Sequence, residues 1–136
     1  MPENPFVETT IRVRYAETDQ MKVVHHAVYL VWFEYARTEF CRKYGVDYST
    51  MEENGLFLPV VEARIRYRQP ARYDDELIVR AEVVSRTRRT LHIKYIVSRN
   101  GIGLAEGETT QMLVDGESRP RSFPTEIARR FDGSSD

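Results

Sequence analysis

The sequence lacks three features that would place it in a secreted or membrane class. It has a single cysteine, Cys41, among 136 residues, which excludes an internal disulfide framework and a zinc site built from several cysteines. No apolar run approaches the roughly 20 residues of a membrane-spanning helix. The start, M-P-E-N-P, lacks the basic-then-apolar order of a signal peptide. We therefore expect a cytoplasmic protein that does not insert into a membrane.

An excess of charge of either sign is also missing. Lys and Arg number 20 against 21 Asp and Glu, which gives a net charge of -1. Proteins that bind nucleic-acid backbones show a basic excess, so we expect no nucleic-acid partner, although a local arginine cluster can still hold a small anion. The absence of a G-x-S-x-G motif disfavours a serine hydrolase. With no internal repeat or linker, we expect one domain over 1–136, with a core of about 6–114 and a C-terminal tail over 115–136.

Hydrophobic periodicity predicts a strand followed by a long helix. Alternation of apolar and polar residues from 6 to 15 predicts a half-buried strand. Aromatic and small apolar residues then recur at steps of three or four, which predicts a helix over 27–44 that ends at Gly45. The first half of this helix is apolar nearly all the way round, which is typical of a helix enclosed by other elements.

Most of the remaining chain has the alternation of strands. The predicted strands are 61–68, 76–88, 90–99 and 103–114. Ser49 or Thr50 is expected to cap a short helix over 49–54, 124–131 is predicted to form a short helix or ordered tail, and 133–136 to fray. A run of strands after a helix favours an α+β fold, with an antiparallel sheet of about five strands wrapped round the long helix. Such a sheet leaves edge strands, which a second subunit often covers.

The irregular segment between the first strand and the helix carries the candidate chemistry. Glu17 and Asp19 lie just before a helix N-terminus, where unpaired main-chain N–H groups can bind an anion or a developing oxyanion. Acyl transfer needs such a pair, because one group attacks the carbonyl or activates water while fixed donors stabilise the negative charge. Acidic residues before helices also serve as simple caps, so the residue types alone leave both interpretations open.

Four groups of residues stand in an order and spacing that carry a resemblance. They are R-V-R-Y-A-E-T-D (12–19), V-V-H-H-A-V-Y with W-F-E-Y-A-R (23–29 and 32–37), P-V-V-E (59–62) and P-A-R-Y-D-D-E-L (70–77). Together they resemble the hot-dog-fold acyl-CoA thioesterases, and within them the 4-hydroxybenzoyl-CoA thioesterase group and its YbgC-type relatives. The resemblance covers about 6–114. It implies the hot-dog fold, an acyl-CoA substrate, a homodimer or homotetramer, and no cofactor beyond the coenzyme A of the substrate.

The resemblance also implies roles for individual residues. Asp19 matches the catalytic aspartate of the family, which acts on the thioester carbonyl as a nucleophile, through a mixed anhydride, or as a general base on water. His26 matches the start of the helix, where the main-chain N–H contributes to the oxyanion site. Tyr29 and Phe33 match positions near the helix start that shape the acyl pocket.

Five further positions bear on substrate binding. Arg88 and Arg89 resemble a basic pair that holds the phosphates of coenzyme A in the hydroxybenzoyl branch. Glu62 lies among apolar residues and is a candidate second polar group in a cleft. His25 replaces an aromatic residue common in relatives and makes the pocket mouth more polar, while Lys22 replaces a glycine. These two departures bear on the substrate more than on the reaction.

Other reactive residues have simpler interpretations. Glu17 is expected to be a solvated loop carboxylate. The grouping of Glu17, Asp19, His25 and His26 lacks a recognisable metal-ligand spacing, so no metal site is predicted. Cys41 lies within the helix and is expected to be a core thiol instead of a nucleophile.

The leading hypothesis is therefore an acyl-CoA thioesterase in which Asp19 acts beside the helix N-terminus at His26. One alternative is a hot-dog protein that binds acyl-CoA without turning it over, as a sensor or partner module. Another is a hot-dog dehydratase that recruits His26 and Asp19. Aromatic, short and long acyl groups all stay open at this point, as does delivery on coenzyme A or on a carrier protein.

Overall fold

One antiparallel sheet organises the computed structural model, which describes residues 4–133. Its strands are β1 (Phe6–Arg12), β2 (Val60–Tyr67), β3 (Glu76–Arg86), β4 (Thr90–Arg99) and β5 (Ile102–Met112). Their order across the sheet is β1-β3-β4-β5-β2, and every neighbouring pair is antiparallel. β3, β4 and β5 follow one another through short hairpins, whereas β1 and β2 occupy the two edges through long-range pairing. The predicted α+β class is confirmed.

A long helix lies against one face of this sheet. The helices are α1 (Val28–Tyr44), α2 (Tyr48–Glu53) and α3 (Thr125–Phe131), with a 3₁₀ turn at Tyr15–Glu17. The inner face of α1 is buried at positions spaced by three or four residues, namely Tyr29, Trp32, Phe33, Ala36 and Phe40. The Phe33 ring stacks on Tyr95 of β4 with 4.2 Å between ring centroids. α1 ends at Gly45, whose φ of 78° is the left-handed conformation of a helix C-cap. The predicted hot-dog arrangement is confirmed.

Gly107 on β5 allows α1 to approach the sheet this closely. A Cβ at this position would lie 2.5 Å from Cε2 of Phe33 and 2.8 Å from the carbonyl oxygen of Arg64. Phe33 is fully buried, and the Arg64 oxygen belongs to the main chain of β2, so neither neighbour has room to withdraw. Only glycine fits between helix and sheet here.

The outer face of α1 is not covered in the single chain. Leu30, Val31 and Tyr35 are 42%, 57% and 48% exposed. The expectation of a helix enclosed on most sides is therefore wrong for one chain, because the sheet covers one side only. β2 is likewise exposed on both faces, with Ile65 as its only half-buried residue. Within residues 4–133, no helix is long and apolar enough to cross a membrane.

Several element boundaries differ from the predicted ones. Asp47 caps α2 by accepting hydrogen bonds from the main-chain N–H groups of Ser49 (3.0 Å) and Thr50 (3.3 Å), so the predicted Ser49 or Thr50 cap is wrong. β1 ends at Arg12, and Tyr15 is 73% exposed instead of continuing the strand. The predicted frayed end over 133–136 lies outside the described residues from 134 onward.

The C-terminal tail contains an ordered helix that closes one end of the core. Phe131 of α3 is fully buried and stacks against Phe40 of α1, with ring centroids 6.1 Å apart. Arg86 at the end of β3 donates two hydrogen bonds of 2.8 Å to the carboxylate of Asp132. The prediction of a short helix over 124–131 is confirmed.

Candidate functional site

A tight turn between β1 and α1 presents the carboxylate of Asp19. The main-chain N–H of Asp19 donates to the carbonyl of Val23 (2.9 Å), and the N–H of Lys22 donates to the carbonyl of Asp19 (2.9 Å). Oδ1 of Asp19 accepts hydrogen bonds from the N–H groups of Met21 (2.8 Å) and Val23 (3.4 Å). Within residues 4–133, Oδ2 has no hydrogen-bond partner. One carboxylate oxygen is thus anchored while the other is available.

Lys22 has the backbone conformation that a glycine would favour. Its φ is 65°, in the left-handed region where a Cβ crowds the neighbouring carbonyl. A lysine therefore occupies a left-handed position in the Asp19 turn, where the family that the sequence resembles has a glycine. The side chain of Lys22 is exposed, so burial of this side chain does not offset the backbone strain.

The N-terminus of α1 lies beside this turn. Nδ1 of His25 accepts a hydrogen bond from the N–H of Ala27 (3.2 Å), and the carbonyl of His25 accepts one from the N–H of Val28 (3.0 Å). The N–H of His26 has no acceptor within residues 4–133, while its carbonyl accepts a hydrogen bond from Oη of Tyr67 (2.8 Å). The helix start therefore offers a free main-chain donor at its positive end, where negative charge is stabilised.

The Asp19 turn and the start of α1 line one surface pocket of about 360 Å³. Asp19, His26 and Tyr29, three of the predicted site residues, line it together. Tyr67 and Arg68, at the end of β2, also line it. Sequence reasoning missed both, although Tyr67 shares the inner face of β2 with the half-buried Ile65.

The tyrosines of the pocket are neutral phenols at physiological pH. Burial raises the pKa of Tyr29, and burial also raises the pKa of Tyr67. Their rings meet edge to face with 5.1 Å between centroids. They give the pocket an apolar wall, and the hydroxyl of Tyr67 is already engaged as the donor to the His26 carbonyl.

His25 precedes the pocket-lining His26 but does not itself line the pocket. Its ring is exposed and stacks on the ring of His26, with centroids 4.3 Å apart. The hydrogen bond from the N–H of Ala27 to Nδ1 holds the His25 ring against the start of α1.

Phe33 and Glu62, which were also predicted to bind substrate, do not line the pocket either. Phe33 is fully buried in the core against Tyr95. Glu62 pairs with Thr110 on exposed edge strand β2, and Thr110 alternates with buried residues of β5, so Glu62 occupies the sheet face opposite α1. Within one chain, neither side chain contributes to the site beside Asp19.

Arg88 and Arg89 lie at the other end of the sheet from Asp19. They are exposed in the turn between β3 and β4, whereas the Asp19 turn adjoins the beginning of β3 through a bridge between Val23 and Arg72. The eleven residues of β3 separate its two ends by roughly 33 Å at about 3.3 Å per residue. One chain therefore does not bring the arginine pair to the pocket.

Glu17 is not the solvated loop carboxylate that the sequence suggested. It is only 8% exposed, and its carboxylate accepts hydrogen bonds from the indole N–H of Trp32 and the main-chain N–H of Arg14. The prediction was wrong because the loop folds back against α1. The contact between Glu17 and Trp32 that results is not encoded in any local sequence pattern.

A depression on the outer sheet face and the thiol of Cys41 are weaker candidates for a catalytic site than the Asp19 pocket. A larger depression of about 580 Å³ lies on the outer sheet face, where Arg64 and Glu108 form an ion pair of 2.8 Å. Burial raises the pKa of the Cys41 thiol to about 11, which keeps it protonated near neutral pH. The interpretation of Cys41 as a core thiol is confirmed by its 2% exposure.

Comparisons with known proteins show that this chain is similar to thioesterases. Residues 13–131 match the family model described as the thioesterase-like superfamily. The acyl-CoA thioesterase YbgC of Haemophilus influenzae is 36% identical over 123 residues, which cover 89% of this chain and 90% of that protein.

Solved structures show the same similarity. A hypothetical protein from Thermus thermophilus is 43% identical with a TM-score of 0.86, over 91% of this chain and 95% of that one. The DHNA-CoA thioesterase of Staphylococcus aureus is 27% identical with a TM-score of 0.89, over 93% of this chain and 88% of that one.

Proposed function

Since this chain belongs to the thioesterase-like superfamily, we propose that it hydrolyses the thioester bond of an acyl-CoA, or of an acyl-carrier thioester, to a free acid and a thiol. The observation that carries the proposal is that one pocket is lined by Asp19, which has a carboxylate oxygen without a hydrogen bond, and by His26, which has a main-chain N–H without an acceptor within residues 4–133. An apolar wall of tyrosines beside them suits the acyl group.

In the proposed reaction the thioester carbonyl oxygen accepts a hydrogen bond from the His26 N–H. This donor and the helix dipole stabilise the negative charge that develops on that oxygen. Met21 and Val23 hold Oδ1 of Asp19, so the other oxygen is oriented without a loss of side-chain freedom during the reaction.

Two routes are compatible with this arrangement. As a nucleophile, Asp19 bonds to the carbonyl carbon, the thiolate leaves with the electrons of the C–S bond, and water hydrolyses the resulting mixed anhydride. As a general base, Asp19 takes a proton from a water molecule whose oxygen bonds to the carbonyl carbon, and the thiolate leaves and is protonated. Neither route uses a metal or redox cofactor, and coenzyme A belongs to the substrate.

We further propose that the working protein is a homodimer or a dimer of dimers formed through β2. β2 lies at one edge of the sheet, with β5 as its neighbour on one side, and its exposed side chains include Val60 and Val61; such edges tend to pair with another chain. Two-fold pairing of β2 with its copy is antiparallel. The far end of the partner's sheet, with Arg88 and Arg89 of the partner subunit, then approaches this chain's pocket and can hold the coenzyme A phosphates. We propose a cytoplasmic location, which suits the unpaired thiol of Cys41.

The test compares wild type with Asp19→Asn across a panel of aromatic, short-chain and long-chain acyl-CoAs, read by thiol release. We expect Asp19→Asn to lower turnover by about 10²- to 10⁴-fold, because the amide keeps the shape but neither attacks nor accepts a proton. The matched control is Glu53→Gln, which neutralises an exposed carboxylate on α2 and should keep wild-type turnover.

Three other outcomes would contradict the proposed mechanism or the proposed function. Undiminished turnover in Asp19→Asn would contradict the mechanism. Acyl-CoA binding by the wild type without thiol release would support the non-catalytic binding protein instead. Loss of water from a 3-hydroxyacyl thioester would support the dehydratase.

A further inference from the structure

The buried carboxylate of Glu17 connects the elements that form the proposed active site. Oε1 accepts the main-chain N–H of Arg14 at 2.8 Å, and Oε2 accepts the indole N–H of Trp32 at 3.1 Å. The guanidinium of Arg14 lies 3.6 Å from Oε2, but it is 75% exposed and adds little. Burying an ionised carboxylate is costly unless donors satisfy it, so these contacts are specific.

The main chain of Glu17 also fixes the far side of the Asp19 turn. Its carbonyl accepts the N–H of His25 at 2.9 Å, and the next residues form a bridge between Thr18 and Val24. The chain therefore enters the Asp19 turn at Glu17 and leaves it at His25, and a main-chain hydrogen bond joins these two residues. The side chain of Glu17 holds this closed loop against α1 through Trp32, in the second turn of the helix.

We propose that Glu17 is a positioning residue that fixes the Asp19 carboxylate relative to the His26 N–H. The inference rests on the proposed function, because the separation of these two groups matters only if both act on one carbonyl. Asp19 lies two residues after Glu17, and His26 follows the residue that Glu17 binds through its carbonyl. A shift of about 1 Å in such an arrangement can lower a rate about 10²-fold without contact between the altered residue and the substrate.

A carboxylate that served stability alone would behave differently. Its loss would lower the melting temperature, but the folded fraction would keep the wild-type kcat. Positioning predicts a lower kcat in fully folded protein with a nearly unchanged KM, since the pocket walls formed by Tyr29 and Tyr67 stay in place.

The experiment uses Glu17→Gln and Trp32→Phe in the full chain. Both variants disturb the same hydrogen bond, one from the loop and one from the helix. Glu17→Gln keeps the side-chain volume, while Trp32→Phe keeps an aromatic ring and removes the indole N–H. We expect each to lower kcat about 10- to 100-fold, and the double variant to lower it hardly further, because the two residues act through one contact. Ile93→Val, a core change away from the pocket, is the control for loss of stability alone and should keep the wild-type kcat.

A second measurement does not depend on activity. Trp32 is the only tryptophan, so its indole N–H gives one assignable NMR resonance. Both variants affecting the contact should shift the amide resonances of Met21, Val23 and His26, with or without turnover by the wild type. If the wild type hydrolyses no acyl-CoA, the proposed function fails, and these resonances still decide the role of Glu17. Unchanged resonances in folded variants, or wild-type kcat in both variants of an active enzyme, would overturn the proposal.

Discussion

Replacing Gly107 with alanine tests whether the contact between α1 and the sheet is as close as described. The added Cβ would lie 2.5 Å and 2.8 Å from two ring atoms of Phe33, and 2.8 Å from the carbonyl oxygen of Arg64. Separations below 3.0 Å are essentially never seen for real Cβ atoms, so something must move. The buried Phe33 ring is stacked on Tyr95, and moving the Arg64 oxygen would disturb the pairing of β2 with β5.

The expected cost of Gly107→Ala follows from these two rigid neighbours. Overpacking of a core costs about 1–3 kcal/mol, and we expect a value of about 3 kcal/mol because both neighbours are constrained. For a chain of 136 residues, an unfolding entropy of about 2.1 cal/mol/K per residue converts this to a fall of about 10 °C in Tm. Thermal and urea unfolding followed by circular dichroism measure both quantities.

Gly103→Ala is the matched control on the same strand. A Cβ there meets nothing within 4 Å, so we expect a change of less than about 1 kcal/mol, in the stabilising direction. In the Gly107→Ala background, Phe33→Leu should cost less than in wild type, because the smaller side chain relieves the overlap. Equal Tm values for the two alanine variants would refute the packing argument.

The remaining predictions concern the Asp19 turn and the assembly. Lys22→Gly should raise stability by about 0.5–1 kcal/mol, since relief of the left-handed strain at φ 65° exceeds the entropy that glycine adds to the unfolded chain, whereas Lys22→Ala should give no gain in thermal unfolding. Light scattering should give a molar mass of two or four times 16.0 kDa, and a monomer would contradict assembly through β2. Arg88→Ala with Arg89→Ala should raise the KM for acyl-CoA and preserve kcat, and an unchanged KM would remove the phosphate role.

The strands could be predicted closely because alternation reports burial directly. β4 was predicted over 90–99 and is observed as Thr90–Arg99, where buried residues alternate with more exposed ones. α1 was predicted within one residue of its start for the same reason, since aromatic residues repeat on its inner face. The ends of helices and strands that are set by turns were harder to predict. The cap of α2 at Asp47 and the end of β1 before Tyr15 depend on local backbone geometry that the alternation does not encode.

The site could be predicted where one continuous segment forms it. The stretch from Asp19 to Tyr29 supplies most of the pocket, and its motif pointed there. Tyr67 was missed because it reaches His26 across 41 positions of sequence, through strand pairing that no local pattern specifies. Glu17 was misjudged because its partner, Trp32, lies 15 positions away on another element. Both misses concern contacts that exist only after the sheet and helix have packed.

The order of strands in the sheet predicts the order in which the strands pair during folding. The β3-β4-β5 hairpins join neighbouring segments, so their loop-closure entropy is small and we expect them to form early. β1 pairs with β3 across about 70 positions, and β2 pairs with β5 across about 45, so both edges close late. The pocket takes Asp19 from the chain that follows β1 and Tyr67 from the end of β2. A folding intermediate that holds only the central hairpins therefore has no pocket, and a competent site exists only in chains whose two edges have both been added.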